Sequence, residues 1–155
     1  MAEKKILALI PARSGSKSVV NKNIRKINGK PMMAYSIEHA KASKYINRII
    51  VSTDSEEYAQ IAREYGAETP FIRPAEYATD TALDIDVFAH ALSFLKEKED
   101  YVPDIIVQLI DEHICGGFLR CLHDDFALLY KGLQRGSGRD PRLRQLTGWN
   151  FKAGA

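Results

Sequence analysis

The chain opens with five consecutive apolar residues, Ile6 to Ile10, held between Lys4-Lys5 and Pro11. So short a run is a strand rather than a helix, which needs about 10–12 residues. It falls well below the ~18 apolar residues of a membrane span. With no polar residue at alternate positions, it reads as a strand buried on both faces, as in a parallel sheet. The strand empties directly into PARSGSKSVVNKN (Pro11–Asn23), a loop rich in small and basic residues. Strand followed by such a loop is a way of offering backbone N–H groups, hydroxyls and cations to phosphate oxygens.

Further short apolar runs at Arg48–Ser52, Pro70–Ile72 and Asp104–Leu109 are bounded by Pro, Gly, Asp or Ser and are predicted strands. Helical patterns lie between them. Pro31 suits the first turn of a helix running toward Ser43, with Met33, Ile37 and Ala40 on one face. Asp54 or Ser55 can cap a second helix carrying Tyr58, Ile61, Ala62 and Tyr65, which Gly66 stops. Asp84 can cap a third, with Ile85, Phe88, Leu92 and Leu95 on one stripe. Strand–helix alternation predicts βαβ units, and so an α/β fold with a mostly parallel sheet and flanking helices.

The pattern changes after Leu109. Seven of the ten glycines, both cysteines and the single tryptophan fall in residues 110–155. Arginine outnumbers lysine five to two there, against ten lysines and five arginines before it. The expectation is a nucleotide-binding unit over residues 1–109 and an atypical tail over 110–155. That tail would hold one helix, Phe118–Leu133, followed by irregular chain dense in breakers. Such a shift is what a frameshifted or truncated reading frame would leave. Cys115 and Cys121 have no metal or redox spacing. The N-terminus lacks the longer apolar core and cleavage site of a signal peptide, which makes the cytoplasm the expected compartment.

Net charge is +2 for the whole chain, but it is unevenly spread. Arg13, Lys17, Lys22, Arg25, Lys26 and Lys30 follow one another with no acidic residue among them. Such a patch can hold a polyanion, although a basic cluster can equally be a solvated loop. Within the loop, Gly15 permits close backbone approach, and Ser14 and Ser16 can donate hydrogen bonds. Arg13 offers a planar fork, while Lys17 and Lys22 offer point charges. Neither GxxxxGK[ST] nor GxGxxG is present. A nucleic-acid ligand is disfavoured by the small net charge and by the lack of aromatic residues between Arg13 and Lys30.

The segment IPARSGSKSVVNKNIRKINGKPMMAYSIEHA resembles the opening signature of the acylneuraminate cytidylyltransferases, Ala-Arg-x-Gly-Ser-Lys followed closely by Lys-Asn. RIIVSTDSEEYAQIAREYGAE and FIRPAEYATDTALDIDVFAHAL resemble the family's second and third segments, so the likeness runs from Lys5 to Leu109. It implies a Rossmann-like nucleotide-diphospho-sugar transferase fold. It also implies a reaction in which a nine-carbon sugar acid attacks the α-phosphate of CTP, giving a CMP-sugar and pyrophosphate with Mg²⁺. On matching positions Arg13 and Lys22 would hold the triphosphate as catalytic cations. Ser14, Gly15, Ser16, Lys17 and Asn23 would complete the nucleotide site, lined also by Arg73 and Thr81. Asp54, ending the second strand where open α/β sheets place their ligands, and Asp80 are further candidates.

Each residue also has a plainer reading. Asp54 could be only a helix cap, Arg73 a strand end before Pro74, Thr81 a turn hydroxyl, and His39 and His90 surface or satisfied positions. The chain departs from the family at Ser18, where glycine is usual, and at Ile110, where a polar residue begins a sugar-binding loop. The family's acidic metal ligands and dimerising segment have no counterpart, and Asp124-Asp125 makes a poor metal pair because neighbours on a helix project apart. The expectation is therefore a CTP-dependent cytidylyltransferase for N-acetylneuraminate whose catalysis is lost through truncation. The alternatives are a cytidylyltransferase for pseudaminic, legionaminic or 3-deoxy-octulosonic acid, or a non-catalytic nucleotide-binding fragment. The octulosonic acid is the weaker of these, because its family's opening loop lacks the Lys22-Asn23 pair.

Overall fold

The computed structural model describes residues 4–17 and 19–109. Ser18, Asp124-Asp125, the Phe118–Leu133 helix and everything else expected of residues 110–155 lie outside them. In chain order the elements are β1 (Ile6–Pro11), β2 (Lys26–Ile27), β3 (Lys30–Pro31), α1 (Met32–Ala42), β4 (Arg48–Ser52), α2 (Glu56–Glu64), α3 (Asp84–Glu99) and β5 (Ile105–Gln108). Single 3-10 turns occupy Lys22–Ile24 and Ala75–Tyr77. The sheet order is β4-β1-β5, with both neighbours parallel to β1. This is the parallel α/β arrangement expected of the sequence.

β1 is the middle strand, and its uninterrupted apolar run follows from that position. Leu7 and Leu9 point to one face and pack with Ile50, Phe71 and the α3 residues Phe88, Ala91 and Leu95. Ile10 and Ala12 point to the other face and pack with Val51, with Met33 and Ile37 of α1, and with Tyr58 and Ala62 of α2. Helices thus cover both faces of the sheet, so a polar residue anywhere from Leu7 to Ile10 would be stranded. The predicted stripes on α1 and α2 are the faces that pack here.

Two expected features differ. Pro70–Ile72 forms no strand. The chain makes one parallel bridge at Ile50–Glu68, using Val51 N–H to the Glu68 carbonyl (2.9 Å) and Glu68 N–H to the Ile49 carbonyl (2.8 Å). Pro70 then has no N–H to extend the ladder, and Phe71 turns into the α3-side core instead. The third helix is not capped by Asp84. Leu83 is the N-cap residue, without a side-chain bond, and Asp84 is the first helical residue, its carboxylate accepting from Gln108 Nε2 at 3.1 Å. A β2–β3 hairpin is also present, its turn Asn28-Gly29 with φ of 50° and 80°. Asn-Gly is the strongest short hairpin signal there is, because both positions need positive φ.

The second helix ends as expected. Gly66 has φ of 93°, a conformation costly for any other residue. The Lys41 ammonium donates to the Tyr65 carbonyl at 3.2 Å, lying where a side chain on residue 66 would begin. Among the described residues no helix is long and apolar enough to cross a membrane.

Because Leu9 is fully buried at the centre of the sheet, Leu9→Ala removes packing that nothing can refill. Equilibrium denaturation in urea should show a loss of about 2–5 kcal/mol. A loss below about 1 kcal/mol would mean that β1 is not the packed centre of this fold.

Candidate functional site

Parallel strands deliver their C-terminal ends to the same edge of a sheet, and ligand loops of open α/β folds gather there. β1 ends at Pro11 and β4 at Ser52, in register with each other, and Ala12 N–H still donates to the Ser52 carbonyl at 2.9 Å. Beyond that point the two chains part. The loop after β1 carries Arg13, Ser14, Gly15, Ser16 and Lys17, while the segment after β4 carries Thr53, Asp54 and Ser55.

Asp54 fastens the two together. Its Oδ1 accepts from Ser14 N–H at 2.8 Å and its Oδ2 from the Ser14 hydroxyl at 2.9 Å. The N-cap of α2 is Ser55, whose Oγ accepts from Tyr58 N–H, so Asp54 is not spent on capping. One expectation changes here. The Ser14 hydroxyl gives its proton to Asp54 and is not free to donate to a phosphate. From the other side Asn23, buried in the 3-10 turn after the loop, donates from Nδ2 to the Arg13 carbonyl at 3.0 Å. Asn21 next to it adopts φ of 53°, and its side chain accepts from the Tyr58 hydroxyl at 3.3 Å. The loop is therefore held at both ends by side chains whose roles are structural. Between these ends the backbone at Gly15 is exposed. Among the described residues nothing lies within 4 Å of where a side chain on Gly15 would begin.

Arg73 is the buried cation of the site, with 4% of its surface exposed. Its backbone N–H donates to the Thr53 carbonyl (2.7 Å) and its Nε to Ser52 Oγ (3.0 Å). Nη2 donates to the Ser52 carbonyl and Nη1 to the Tyr77 carbonyl at 3.4 Å. Among the described residues no carboxylate lies within ion-pair reach of it. Burial brings its pKa down to about 10, with Arg13 pushing the same way against the opposing charges of Asp54 and Asp84. It is still protonated at neutral pH, and a buried cation held only by neutral oxygens favours an anion nearby. Ser52, which the sequence shows only as the end of a strand, supplies two of its bonds.

Asp80 completes the group. One carboxylate oxygen lies 2.5 Å from Arg13 Nη1 and the other 2.5 Å from Lys17 Nζ. These two cations hold the carboxyl below its ordinary range, Lys17 most strongly, so it is ionised at neutral pH. Thr81 follows it on an exposed turn, its hydroxyl 3.3 Å from that of Thr79. Lys22 sits in the Lys22–Ile24 turn beside Asn23. Arg13, Ser14, Lys17, Asn23, Asp54 and Asp80 are thus joined by direct bonds, with Arg73 beneath them. Thr81, Gly15, Ser16 and Lys22 come with them through the chain.

His90, expected at a surface or satisfied position, is half-buried. Its ring packs edge-on against Phe71 (4.9 Å) and beside Tyr77 (5.3 Å), and its buried Nδ1 has no hydrogen-bond partner among the described residues. Burial, then the charge of Arg73, lowers its pKa against the opposing Glu76, which favours the neutral ring.

A resident Mg²⁺ would need open carboxylate oxygens. Both oxygens of Asp54 accept from Ser14 and both of Asp80 hold cations, and among the described residues no group of three or more His, Cys, Asp or Glu could hold a metal. As they stand, these residues do not fit a protein-held Mg²⁺.

Known proteins resemble this chain in sequence and fold. The chain is 47% identical over 97 residues to an N-acylneuraminate cytidylyltransferase of Escherichia coli O18:K1:H7, a match covering 63% of this chain and 23% of that one. It is 50% identical over 101 residues to a CMP-N,N'-diacetyllegionaminic acid synthase of Campylobacter jejuni serotype O:2, covering 65% of this chain and 41% of the other. A solved CMP:2-keto-3-deoxy-manno-octonic acid synthetase in complex with CTP superposes with a TM-score of 0.55 at 25% identity, over 69% of this chain and 40% of that one. The chain spans less than half the length of each of these proteins. Residues 7–111, which include every described residue of the loop and its partners, match the cytidylyltransferase family, and the chain belongs to it.

Proposed function

We propose that the strand-end loop from Arg13 to Asn23 binds the triphosphate of CTP for transfer of a cytidylyl group to a nonulosonic sugar acid. The observation that carries this reading is the convergence of Arg13 and Lys17 on a single carboxylate, on a loop pinned by Asp54 and Asn23. Two cations brought to one anion at the C-terminal edge of a parallel sheet are what a polyphosphate site requires.

In the proposed reaction the anomeric hydroxyl of the sugar acid attacks the α-phosphorus. A new C–O–P bond forms, the bond to the β-phosphate breaks, the hydroxyl proton is lost, and pyrophosphate leaves. Phosphoryl-type transfer asks little covalent chemistry of a protein and much positioning and charge compensation. Arg13, Lys17 and Lys22 would take up charge on the β- and γ-phosphates. The open backbone at Gly15-Ser16 would approach the phosphate chain closely, and Arg73 would supply positive potential from below. Any Mg²⁺ would arrive on the nucleotide. The sugar acid is assigned at the level of its class, since the relatives are named for different members of it. Residues 4–109 are assigned to the nucleotide side of the reaction.

Three outcomes test the reading. Calorimetry with Mg²⁺ present should show CTP binding more tightly than ATP, GTP or UTP; equal affinity for all four, or none for any, would remove its basis. Lys22→Ala should weaken CTP binding by about 1.5–3 kcal/mol through loss of a charge-assisted contact. Lys41→Ala, on α1 away from the loop, should leave it nearly unchanged. Equal losses would reduce Lys22 to one charge in a diffuse basic surface. Gly15→Ala should leave thermal stability within about 0.5 kcal/mol of the unaltered protein. It should nonetheless weaken CTP binding about tenfold, because the new methyl group enters the space where phosphate approaches. Unaltered binding would place the phosphates elsewhere.

A further inference from the structure

We infer that Asp80 is an internal anion that occupies the phosphate position of the loop until a ligand displaces it. The inference rests on the triphosphate reading above and adds a mechanism of competition to it.

The geometry has three parts. First, the carboxylate divides its oxygens, Oδ1 to Arg13 and Oδ2 to Lys17, each at 2.5 Å. Two oxygens of one phosphate would meet the same cations in the same way. Second, the loop has no acidic residue of its own between Arg13 and Lys30, so its charge is balanced from a segment 67 residues from Arg13 along the chain. Third, that segment is lightly tied among the described residues. Its root is fixed, because Arg73 donates to the Thr53 and Tyr77 carbonyls and Asp84 begins α3. Between these anchors Thr79, Asp80 and Thr81 are exposed, and among the described residues the turn there is closed by two long contacts, Ala82 N–H to the Thr79 carbonyl and the Thr79 hydroxyl to that of Thr81, each at 3.3 Å.

Asp54 is the useful contrast. It is half-buried, bonded to a backbone N–H and a neutral hydroxyl, and belongs to the frame. Asp80 is exposed and, among the described residues, its carboxylate is bonded only to cations. Exposed ion pairs of this kind are weak and salt-screened. A triphosphate brings several charges to the same cations and should win the exchange. Release of Asp80 would swing the Thr79–Thr81 strap away from Arg13 and Lys17. The pairing would also keep unrelated single anions from the loop while the protein is empty.

The test is calorimetric titration of the full chain with inorganic tripolyphosphate in Mg²⁺-free, low-salt buffer. It compares the unaltered protein with Asp80→Asn and with Glu97→Gln, which removes the same charge from the exposed side of α3. Asp80→Asn should bind about three- to tenfold more tightly, and Glu97→Gln should match the unaltered protein. Binding to Asp80→Asn that is unchanged or weaker, where the unaltered protein binds, overturns the competition and leaves the triphosphate reading standing. Equal tightening in both variants overturns it too, by making the effect one of net charge. If neither tripolyphosphate nor CTP binds any of the three, the triphosphate reading fails and the competition with it. A second readout needs no ligand. Trypsin should cut after Lys17 faster in Asp80→Asn than in the unaltered protein at low salt, with the difference closing at high salt. Equal rates at low salt would mean that Asp80 does not hold the loop.

Discussion

The ladder that pairs β1 on both sides governs the rest of this molecule. A strand hydrogen-bonded to β4 and to β5, with helices over both faces, has no freedom of register: a slip of one residue would exchange Leu7 and Leu9 with Ala8 and Ile10 between two differently shaped cores. With register fixed, Pro11 must lie opposite Ser52, and the segments after β1 and β4 must emerge side by side. The site is the consequence. Asp54 reaches Ser14, and Arg73 reaches Ser52, because the ladder leaves them at one edge.

What lies at that edge separates into frame and contact surface. Asp54, Asn23 and the Ser52–Arg73 bonds are directed at backbone or neutral oxygens and set the loop's shape. Arg13 and Lys17 present charge outward, and among the described residues their side chains pair with Asp80. The opposite end of the sheet shows what a purely structural cation looks like. Arg48 pairs with both Glu68 and Glu99 and lies 4.8 Å from the centre of the Tyr101 ring. Its burial alone would weaken the charge, but those two carboxylates raise its pKa above the ordinary value. Arg73 has no such pairing among the described residues, and that difference separates the cation near the loop from the one at the far end.

Much of this was legible in the sequence. β1, β4, β5 and the three helices follow from apolar runs and 3.6-residue periodicity, because burial on two faces leaves that trace directly. Gly66 and Ser55 carried their own stop and start signals. Pro70–Ile72 misled because its apolar character reports burial of Phe71, not strand pairing, and Pro70 withholds the donor a strand needs. Asn28-Gly29 was a readable turn overlooked beside a stronger basic pattern. For the site, the residues of one loop and one strand end could be named from their types and spacing. The bonds between them could not. Nothing local says that the Ser14 hydroxyl is spent on Asp54, or that Asp80 reaches Arg13 across 67 residues of chain.

The central claim is that the loop fixed by this ladder is where nucleotide phosphate binds. Amide chemical-shift mapping of the isotope-labelled chain during titration with CTP tests it most directly. The account predicts that shifts concentrate in Arg13–Lys17, Lys22-Asn23, Arg73 and Thr79–Thr81, while Lys5, Arg48 and Tyr101 at the far end of the sheet stay unmoved. Saturable shifts centred on that far end, or on the outer face of α3, with the loop silent, would contradict it.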